Sequence, residues 1–386
     1  MKLITSTGEL ARFCVDAAAH DFITVDTEFL RESTYWPKLC LLQVATLDEA
    51  VIIDPLAAAL SLDPFVELLD NDAIVKVFHA ARQDVEIFVK LTGRVPTNLF
   101  DSQIAASVCG FGDSVSYDSL VQSIVGEKID KSSRFTDWSA RPLSEKQLAY
   151  ALADVTHLRD IYIALRDKII ETGRDAWVQD ENKTLASVET YVVQPEDAWK
   201  RLKMKVNRPR DLAALKALAK WREARAQAND QPRGRVLKDD AIYELAVQRP
   251  ANAEAFEKLR AVPRGFGRSA AAAEIVSILA QVSRLPKGEL PDLPARARGP
   301  SPKGPIGDLI RVLLKAVAER HGVATRIIAN SDDIDALVLD DEADIPALRG
   351  WRRSIFGDKA LAIKRGELGL AATPGGIVEI GTTPQS

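Results

Sequence analysis

The sequence predicts an α/β domain followed by one or two small all-α domains. Strand-like and helix-like runs alternate over the first 110 residues, which is typical of a layered α/β fold. A polar, basic segment at Met204–Arg210 then leads into helical spacing of apolar residues. The charge also changes sign there, because residues 1–200 carry 19 basic and 32 acidic groups while residues 201–300 carry 21 and 11.

The strand predictions rest on short runs of β-forming residues. Phe22–Leu30 is rich in such residues, and Ile74–Phe78 is another short apolar run. Leu39–Thr46 and Ala50–Ile53 are separated by only three residues, which predicts a hairpin around Leu47–Glu49. Together these runs predict the sheet of the N-terminal domain.

Helices are predicted in the intervals between and after these strands. The predicted spans are Thr7–Ala19, Asp63–Leu69, Ala81–Leu91, Asp101–Val108 and Tyr117–Val125. Gly93 marks the end of the third of them, because glycine commonly follows a helix. Ser144 and Gln147 have the spacing of a capping box, which predicts a long helix from Ser144 to about Glu171.

The second half of the chain is predicted to be helical and to contain two linkers. Asp211–Ala228 is an amphipathic Ala/Leu/Lys helix that opens the basic region. Leu285–Pro305 holds six prolines and is predicted to be a linker before a last helix near Ile306–His321. A basic module of this kind attracts phosphate backbones.

Composition excludes several other classes of protein. The chain has 386 residues, a net charge of −4 and 46% hydrophobic residues, which excludes a wholly disordered, collagen-like or coiled-coil protein. No apolar run reaches the ~18 residues that cross a bilayer, and the first ten residues lack a secretory pattern. We therefore expect a cytoplasmic protein without membrane partners. Cys14, Cys40 and Cys109 are far apart and are predicted to be buried and unpaired.

Two acidic side chains at the end of an apolar strand form the first candidate site. Asp26 and Glu28 are two positions apart, so they point to the same face of the strand. Paired carboxylates repel each other unless a cation lies between them, and hard oxygen ligands suit Mg²⁺ or Mn²⁺. The alternative for an isolated pair is a solvated strand end.

Three further residues extend this candidate site. Asp84 is predicted near the start of a helix, where an acid is also favoured by the helix dipole alone. Tyr150 and Asp154 lie one turn apart and share one helix face, although a core tyrosine beside a surface acid has the same spacing. The combination of the three segments carries more weight than any one of them.

The order and setting of these segments resemble the DEDD exonucleases of the tyrosine-bearing subgroup, and most closely the ribonuclease D family. The matching segments are Thr24–Phe29 (TVDTEF), Leu41–Ala45 (LLQVA), His79–Asp84 (HAARQD), Phe100–Gln103 (FDSQ) and Trp138–Leu143 (WSARPL), followed by Tyr150 and Asp154. The resemblance covers nearly all of residues 1–200. Residues from about Pro209 to Ser283 are similar to the helicase-and-RNase-D C-terminal (HRDC) domain, and the end of the chain resembles a divergent second copy.

The resemblance implies a fold, a domain plan and a metal centre. It implies a ribonuclease-H-like exonuclease domain, with a mixed sheet flanked by helices, over residues 1–203. An HRDC domain would occupy 204–285, and a linker with a second HRDC-like helical domain would occupy 286–386. Four carboxylates would bind two Mg²⁺ or Mn²⁺ ions, namely Asp26, Glu28, Asp84 and Asp154. Tyr150 would orient, or help to deprotonate, the attacking water, and orientation is favoured because the pKa of a free phenol is near ~10.

Substrate contacts are predicted at four more positions, each with a structural alternative. Phe29 would stack on the terminal base or belong to the core, and His79 would line the site or act as a structural donor. Lys131 and Arg141 would contact phosphates or lie in a solvated loop. Asp101 is predicted to be an N-cap rather than part of the site.

The function implied by this resemblance is a 3′→5′ exoribonuclease that releases nucleoside 5′-monophosphates. Its expected substrates are tRNA precursors and other small structured RNAs, held by the basic helical region, and we expect a monomer. A DNA exonuclease and a non-catalytic RNA-binding scaffold are the alternatives. A scaffold would be expected to lack one of the acids, and none is missing. The sequence contains no GxxxxGK[ST] motif, so a helicase motor is not predicted.

Overall fold

The structure is a computed structural model that describes residues 2–130, 132–133, 136–293 and 303–381. Lys131 lies outside the described residues, as does the central part of the predicted linker Leu285–Pro305. No helix within the described ranges is long and apolar enough to cross a membrane. The predicted cytoplasmic location stays a prediction. All three cysteines are buried and unpaired, as predicted.

A six-stranded mixed sheet forms the centre of the N-terminal domain. Its strands are β1 (Lys2–Ile4), β2 (Phe22–Leu30), β3 (Lys38–Ala45), β4 (Ala50–Ile53), β5 (Val75–Phe78) and β6 (Leu99–Asp101). The order is β1-β4-β3-β2-β5-β6. The pairs β2–β3 and β3–β4 are antiparallel, whereas β1–β4, β2–β5 and β5–β6 are parallel. The predicted mixed sheet and the predicted hairpin are therefore confirmed.

Helices cover both faces of this sheet. They are α1 (Thr7–Ala17), α2 (Asp63–Leu69), α3 (Arg82–Thr92), α4 (Ser102–Val108), α5 (Tyr117–Leu120), α6 (Glu145–Thr172) and α7 (Asp175–Asn182). One apolar cluster lies under α1–α3 and includes Phe13, Phe65 and Phe88. A second lies between the sheet and α6 and includes Leu158 and Ile161. The predicted helix Tyr117–Val125 is only partly α-helical, because Val121–Val125 forms a π-helical turn.

Two strands of this sheet were not predicted from the sequence. β1 and β6 have only three residues each, too few for a clear alternation of polar and apolar side chains. Each is defined by its parallel neighbour, β4 or β5. By contrast, α6 begins as predicted, with a capping box between Ser144 and Gln147, and ends at Gly173 in the left-handed region.

A helical module follows the N-terminal domain. It contains α8 (Pro209–Ala228), α9 (Arg233–Val236), α10 (Asp239–Gln248), α11 (Ala253–Phe256) and α12 (Ala270–Arg284). Its own apolar core includes Leu218 of α8, Leu245 of α10 and Ile275 of α12. Short 3₁₀ turns lie at Val188–Thr190, Pro195–Arg201, Phe266–Arg268 and Lys287–Glu289.

The C-terminal region consists of short and long helices followed by one β-hairpin. Its helices are α13 (Pro305–His321), α14 (Thr325–Ile328), α15 (Ser331–Leu339), α16 (Gly350–Arg352) and α17 (Asp358–Lys364), with a 3₁₀ turn at Pro346–Leu348 and a π turn at Arg353–Gly357. It ends in an antiparallel hairpin of β7 (Leu368–Thr373) and β8 (Gly376–Gly381). The expectation of a purely helical second module is wrong at this hairpin. Its strands contact α17 and α13, so the hairpin extends the helical core.

The segment between β2 and β3 connects the N-terminal domain to the helical module. The hydroxyl of Tyr35 donates a hydrogen bond to the carboxylate of Glu223 on α8, which is 1% exposed. The carboxylate of Asp230, just after α8, accepts the backbone N–H groups of Tyr35 at 3.0 Å and Trp36 at 2.9 Å. Arg233 pairs with Glu223 and donates to the Tyr35 hydroxyl. The chain segment that follows β2 is thereby fixed against α8.

The C-terminal region packs against other elements of the N-terminal domain. Trp177 of α7 stacks on Trp351 with ring centroids 4.2 Å apart and an angle of 8° between the planes. The Ala324 N–H donates to the carbonyl of Ser107 at 3.2 Å. Next to this contact Gly110 approaches Gly322 so closely that a Cβ on Gly110 would lie 2.4 Å from the Gly322 carbonyl oxygen. The two regions therefore meet backbone to backbone at this point.

Candidate active site

Strand β2 places two carboxylates at one edge of a cavity. Asp26 and Glu28 point to the same face of the sheet because they are two residues apart. A bulge between Glu28 and Phe29 shifts the pairing of β2 with β3. Bulges redirect side chains, and Phe29 lines the same cavity as the two acids although it follows Glu28 directly.

Helix α6 brings a third carboxylate to this pair. Asp154 lies about ten residues into the helix, one turn after Tyr150, and both line the cavity. One carboxylate oxygen from each of Asp26, Glu28 and Asp154 lies within 4.8 Å of the others. Three acids from two elements thus converge, as the predicted metal centre requires.

Asp84 lines the same cavity but is not one of this trio. It lies in the first turn of α3 and is 6% exposed. Its Oδ1 accepts a hydrogen bond of 2.5 Å from the hydroxyl of Thr27, the residue between Asp26 and Glu28. Burial raises the pKa of Asp84 to about 7, although the Thr27 hydrogen bond opposes this shift. The structure therefore brings together three of the four predicted ligands and places the fourth beside them.

The electrostatics of the trio favour a cation. Burial raises the pKa of Asp26 well above its ordinary value, and repulsion from Asp154, Asp84 and Glu28 raises it further. A divalent cation among these oxygens would remove that repulsion and hold the acids in the ionised form. Oxygen donors of this kind fit Mg²⁺ or Mn²⁺, so the residues fit the cation that the sequence predicts.

Two hydroxyl groups fix the turn of α6 that carries Asp154. The Tyr117 hydroxyl lies 3.0 Å from the carbonyl oxygen of Ala153 and 2.7 Å from that of Asp154, and it donates to this pair. Thr24 of β2 donates to the next carbonyl, that of Val155, at 2.8 Å. Sequence reasoning missed both residues, because neither has a spacing relationship to Asp154. They join α6 to β2 and α5 around the site.

His79, directly after β5, and Asp101, the last residue of β6, support the cavity. The Nδ1 atom of His79 lies 2.9 Å from the hydroxyl of Ser102, and burial lowers the pKa of this imidazole. The Asp101 carboxylate caps α4 and also accepts the N–H groups of Ala80 and Ala81. The predicted structural role of Asp101 is confirmed, and through these bonds it holds the turn that leads into α3.

Arg141 does not contribute to the cavity. Its five N–H donors all have protein acceptors: the two Asp54 carboxylate oxygens and the carbonyls of Cys40, Trp138 and Ala140. Arginine has only five such donors. No donor remains for a phosphate, so the prediction of a phosphate contact is corrected to a structural role. Lys131 lies outside the described residues.

The cavity has a volume of about 480 Å³, within the usual range for small-molecule sites. Its lining combines acids, hydroxyls and apolar groups. These residues are Asp26, Thr27, Glu28, Phe29, His79, Ala80, Gln83, Asp84, Gln103, Ser116, Tyr117, Asp118, Ile129, Tyr150, Asp154 and Leu158. Such a lining offers ligands for cations beside an apolar surface for a flat ring.

Comparisons with known proteins identify the family of the chain. Residues 1–170 match a family model described as 3′-5′ exonuclease, and residues 211–279 match the HRDC domain. A ribonuclease D of Nitrobacter hamburgensis is 48% identical over 381 residues, covering 98% of this chain and 99% of the relative. The chain belongs to the ribonuclease D family. Another ribonuclease D, from Jannaschia sp., is 49% identical over 96% of each chain.

Solved structures extend the comparison to the whole fold. The crystal structure of Escherichia coli RNase D, described as an exoribonuclease involved in structured RNA processing, matches with a TM-score of 0.84. It is 28% identical and covers 95% of this chain and 98% of that chain. The catalytic core of RRP6 from Trypanosoma brucei, 23% identical with a TM-score of 0.56, shares the fold. The predicted family is confirmed, and with it the predicted class of hydrolytic 3′→5′ exoribonuclease.

Proposed function

We propose that this member of the ribonuclease D family trims the 3′ ends of tRNA precursors and other small structured RNAs, releasing nucleoside 5′-monophosphates. The observation that carries the proposal is the trio Asp26, Glu28 and Asp154, with oxygens within 4.8 Å of one another in a cavity of about 480 Å³. Isolated acids on a surface would not need such a cavity. A 3′-terminal nucleotide is the ligand that this family and this volume favour.

The proposed metal ligands are Asp26, Glu28, Asp84 and Asp154, and they would hold two Mg²⁺ or Mn²⁺ ions. When bound, such cations offset charge on the scissile phosphate and make water more acidic. Asp84 lies beside the other three in the same cavity, where its carboxylate accepts the hydrogen bond of Thr27.

We assign Tyr150 to orienting the attacking water. It shares a helix face with Asp154 and lines the cavity beside the trio. A phenol is a weak base at neutral pH, since its ordinary pKa is near ~10. Its contribution is therefore a positioned hydrogen bond rather than removal of a proton.

Substrate contacts are proposed at two residues that line the cavity. Phe29 offers its ring to the terminal base, because the bulge before it turns this side chain into the cavity. His79 offers a neutral imidazole, since its pKa is lowered and its Nδ1 already contacts Ser102. Lys131 remains a proposed phosphate contact on the basis of the sequence alone.

The basic helical region is proposed to hold the body of the RNA. The proposed domains are an exonuclease domain at 1–203, an HRDC domain at 204–285, and a linker with a second HRDC-like domain at 286–386. The loop between α11 and α12 carries three exposed arginines, Arg260, Arg264 and Arg268, that make no ion pair within 4 Å among the described residues. Unpaired cations of this kind suit phosphate backbones. We expect the active form to be a monomer.

The test is digestion of a 5′-labelled tRNA with a 3′ extension, with Mg²⁺ or with a chelator. We expect stepwise shortening and 5′-mononucleotides only with metal, and almost complete loss of activity in Asp26→Ala and Asp154→Ala. Asp160→Ala is the matched control, because Asp160 is an exposed acid on the same helix. Unchanged shortening by both active-site variants would reject the mechanism. Equal digestion of single-stranded DNA with the same 3′ sequence would reject the RNA specificity.

A further inference from the structure

Gln43 is the polar residue in the middle of an otherwise apolar strand. β3 reads KLCLLQVA, and every residue after Lys38 is buried. Gln43 pairs directly with Asp26 on β2 and with Ile52 on β4. Side chains paired across antiparallel strands point to the same face, with Cβ atoms about 5 Å apart. The amide therefore lies on the face that carries Asp26, beneath α6.

The Gln43 amide is buried without a partner. The side chain is 0% exposed, and neither its Nε2 nor its Oε1 atom has a hydrogen-bond partner among the described residues. Leaving a buried polar group unpaired costs about 1–3 kcal/mol. A leucine or methionine would fill the same space without that cost, so packing alone does not explain an amide here.

Neighbouring buried polar groups of the same sheet are satisfied. The Thr24 hydroxyl donates to the Val155 carbonyl, and the Thr27 hydroxyl donates to Asp84. The Lys76 ammonium has acceptors at Asn71, Ile74 and Thr97. The unpaired state of Gln43 is therefore an exception within this sheet, and the nearest charged group across the strand is Asp26.

We propose that Gln43 is a positioning residue for Asp26: its amide N–H donates to the Asp26 carboxylate when that carboxylate holds a cation. The inference rests on the proposed function in one respect, that Asp26 is a cation ligand. Carboxylates that bind metals are usually held by a second set of hydrogen bonds, which fix the direction of their oxygens. Thr24, which lies on the same face of β2 two residues before Asp26, is already engaged with the Val155 carbonyl, whereas Gln43 lies directly opposite Asp26 with its amide unpaired.

The proposal predicts opposite effects on stability and on metal binding. Gln43→Met replaces the amide with an apolar side chain of similar length. We expect the metal-free variant to unfold at the same or a higher denaturant concentration than the wild type. We expect its affinity for Mn²⁺, measured by calorimetry without RNA, to fall about 10- to 100-fold, as for other residues that hold metal ligands. Excess Mn²⁺ should restore its RNA digestion.

Two further variants make the test decisive. Ile52→Met is the matched control, because Ile52 pairs with Gln43 on the side away from Asp26. It should bind Mn²⁺ with wild-type affinity. Gln43→Leu provides a second apolar replacement of different shape. Wild-type Mn²⁺ affinity in either folded Gln43 variant would overturn the proposal, and so would the failure of both to fold. If the wild type binds Mn²⁺ but digests no RNA, the proposed function fails while the comparison of affinities still decides the role of Gln43.

Discussion

The hydroxyl of Tyr117 lies 2.7 Å from the backbone carbonyl oxygen of Asp154, a residue 37 positions later in the chain. This hydrogen bond joins the short helix α5 to the turn of α6 that carries a proposed metal ligand. Thr24 joins the next carbonyl of that turn to β2. The relative position of Asp154 and Asp26 is thereby fixed by side chains that do not themselves carry charge.

Replacing Tyr117 with phenylalanine should slow catalysis without unfolding the protein. The change removes the hydrogen bond to α6, which is worth about 1 kcal/mol. We expect kcat for RNA shortening to fall about tenfold with little change in KM, because the bond positions a ligand and leaves binding of the RNA body intact. Tyr162→Phe is the control, since Tyr162 is a buried tyrosine of α6 that packs on Phe22. Equal rates for both variants would contradict the positioning role.

Replacing Tyr150 with phenylalanine should affect the chemical step alone. The ring remains in the cavity, whereas the hydroxyl that would orient water is lost. We expect single-turnover rates to fall about 100-fold. RNA affinity, measured with Ca²⁺ in place of Mg²⁺, should remain that of the wild type. A parallel loss of affinity would show that Tyr150 holds the RNA instead.

Metal affinity should rise with pH through the neutral range. The pKa of Asp84 is about 7 in the metal-free fold, well above its ordinary value, so this carboxyl is largely protonated below neutrality. A group with a raised folded pKa stabilises the fold at low pH, and this contribution is lost as the pH rises through 7. Cation binding needs the ionised form, so Mn²⁺ binding should release protons at pH 6.

Calorimetry in buffers of different ionisation enthalpy would measure those protons. The Mn²⁺ affinity should be higher at pH 8 than at pH 6, and Asp84→Asn should release fewer protons than the wild type. Asp160→Asn is the control because it changes an exposed acid on α6. Affinity that is independent of pH would show that the acids are already ionised without metal.

Replacing Arg141 with lysine should weaken the fold and leave the chemistry intact. Lysine has three donors where arginine has five, so at least two of the five hydrogen bonds must be lost. We expect the free energy of unfolding to fall by about 2–3 kcal/mol, measured by denaturant titration. At a temperature where the variant is folded, kcat and KM should stay within about twofold of wild type. An increase in KM with unchanged stability would restore the phosphate-contact prediction.

Removing cations from the loop between α11 and α12 should reduce the salt dependence of RNA binding. The double variant Arg260→Ala and Arg264→Ala removes two exposed charges. If both contact phosphates, the slope of log affinity against log salt should become less steep by about one to two. Lys2→Ala, an exposed cation on β1, is the control. An unchanged slope would show that Arg260 and Arg264 do not contact RNA phosphates.

Local signals in the sequence were sufficient for much of the fold and part of the site. The alternation in β2 placed Asp26 and Glu28 on one face, and the capping box at Ser144 set the start of α6. Both signals act over a few residues. The hairpin β7–β8 also has such a signal, Pro374–Gly375 between two runs of β-forming residues, which the prediction overlooked.

The remaining features depend on contacts between distant residues. Asp84 is held by Thr27, 57 residues earlier, and this bond keeps it out of the carboxylate trio. Arg141 finds Asp54, 87 residues earlier, and so loses its capacity for phosphate. Neither partner is marked by spacing or residue type, because many hydroxyls and acids in the sequence could have served equally well.

The contact of Gly110 with Gly322 offers a way to separate the C-terminal region from the N-terminal domain by one substitution. Gly110 has a φ of +86°, which disfavours any other residue, and an added methyl group would collide with backbone rather than with a movable side chain. Gly110→Ala would therefore force the C-terminal region that begins at Pro305 away from the N-terminal domain. Since no proposed metal ligand lies at this contact, that single substitution could show what the C-terminal region contributes to trimming.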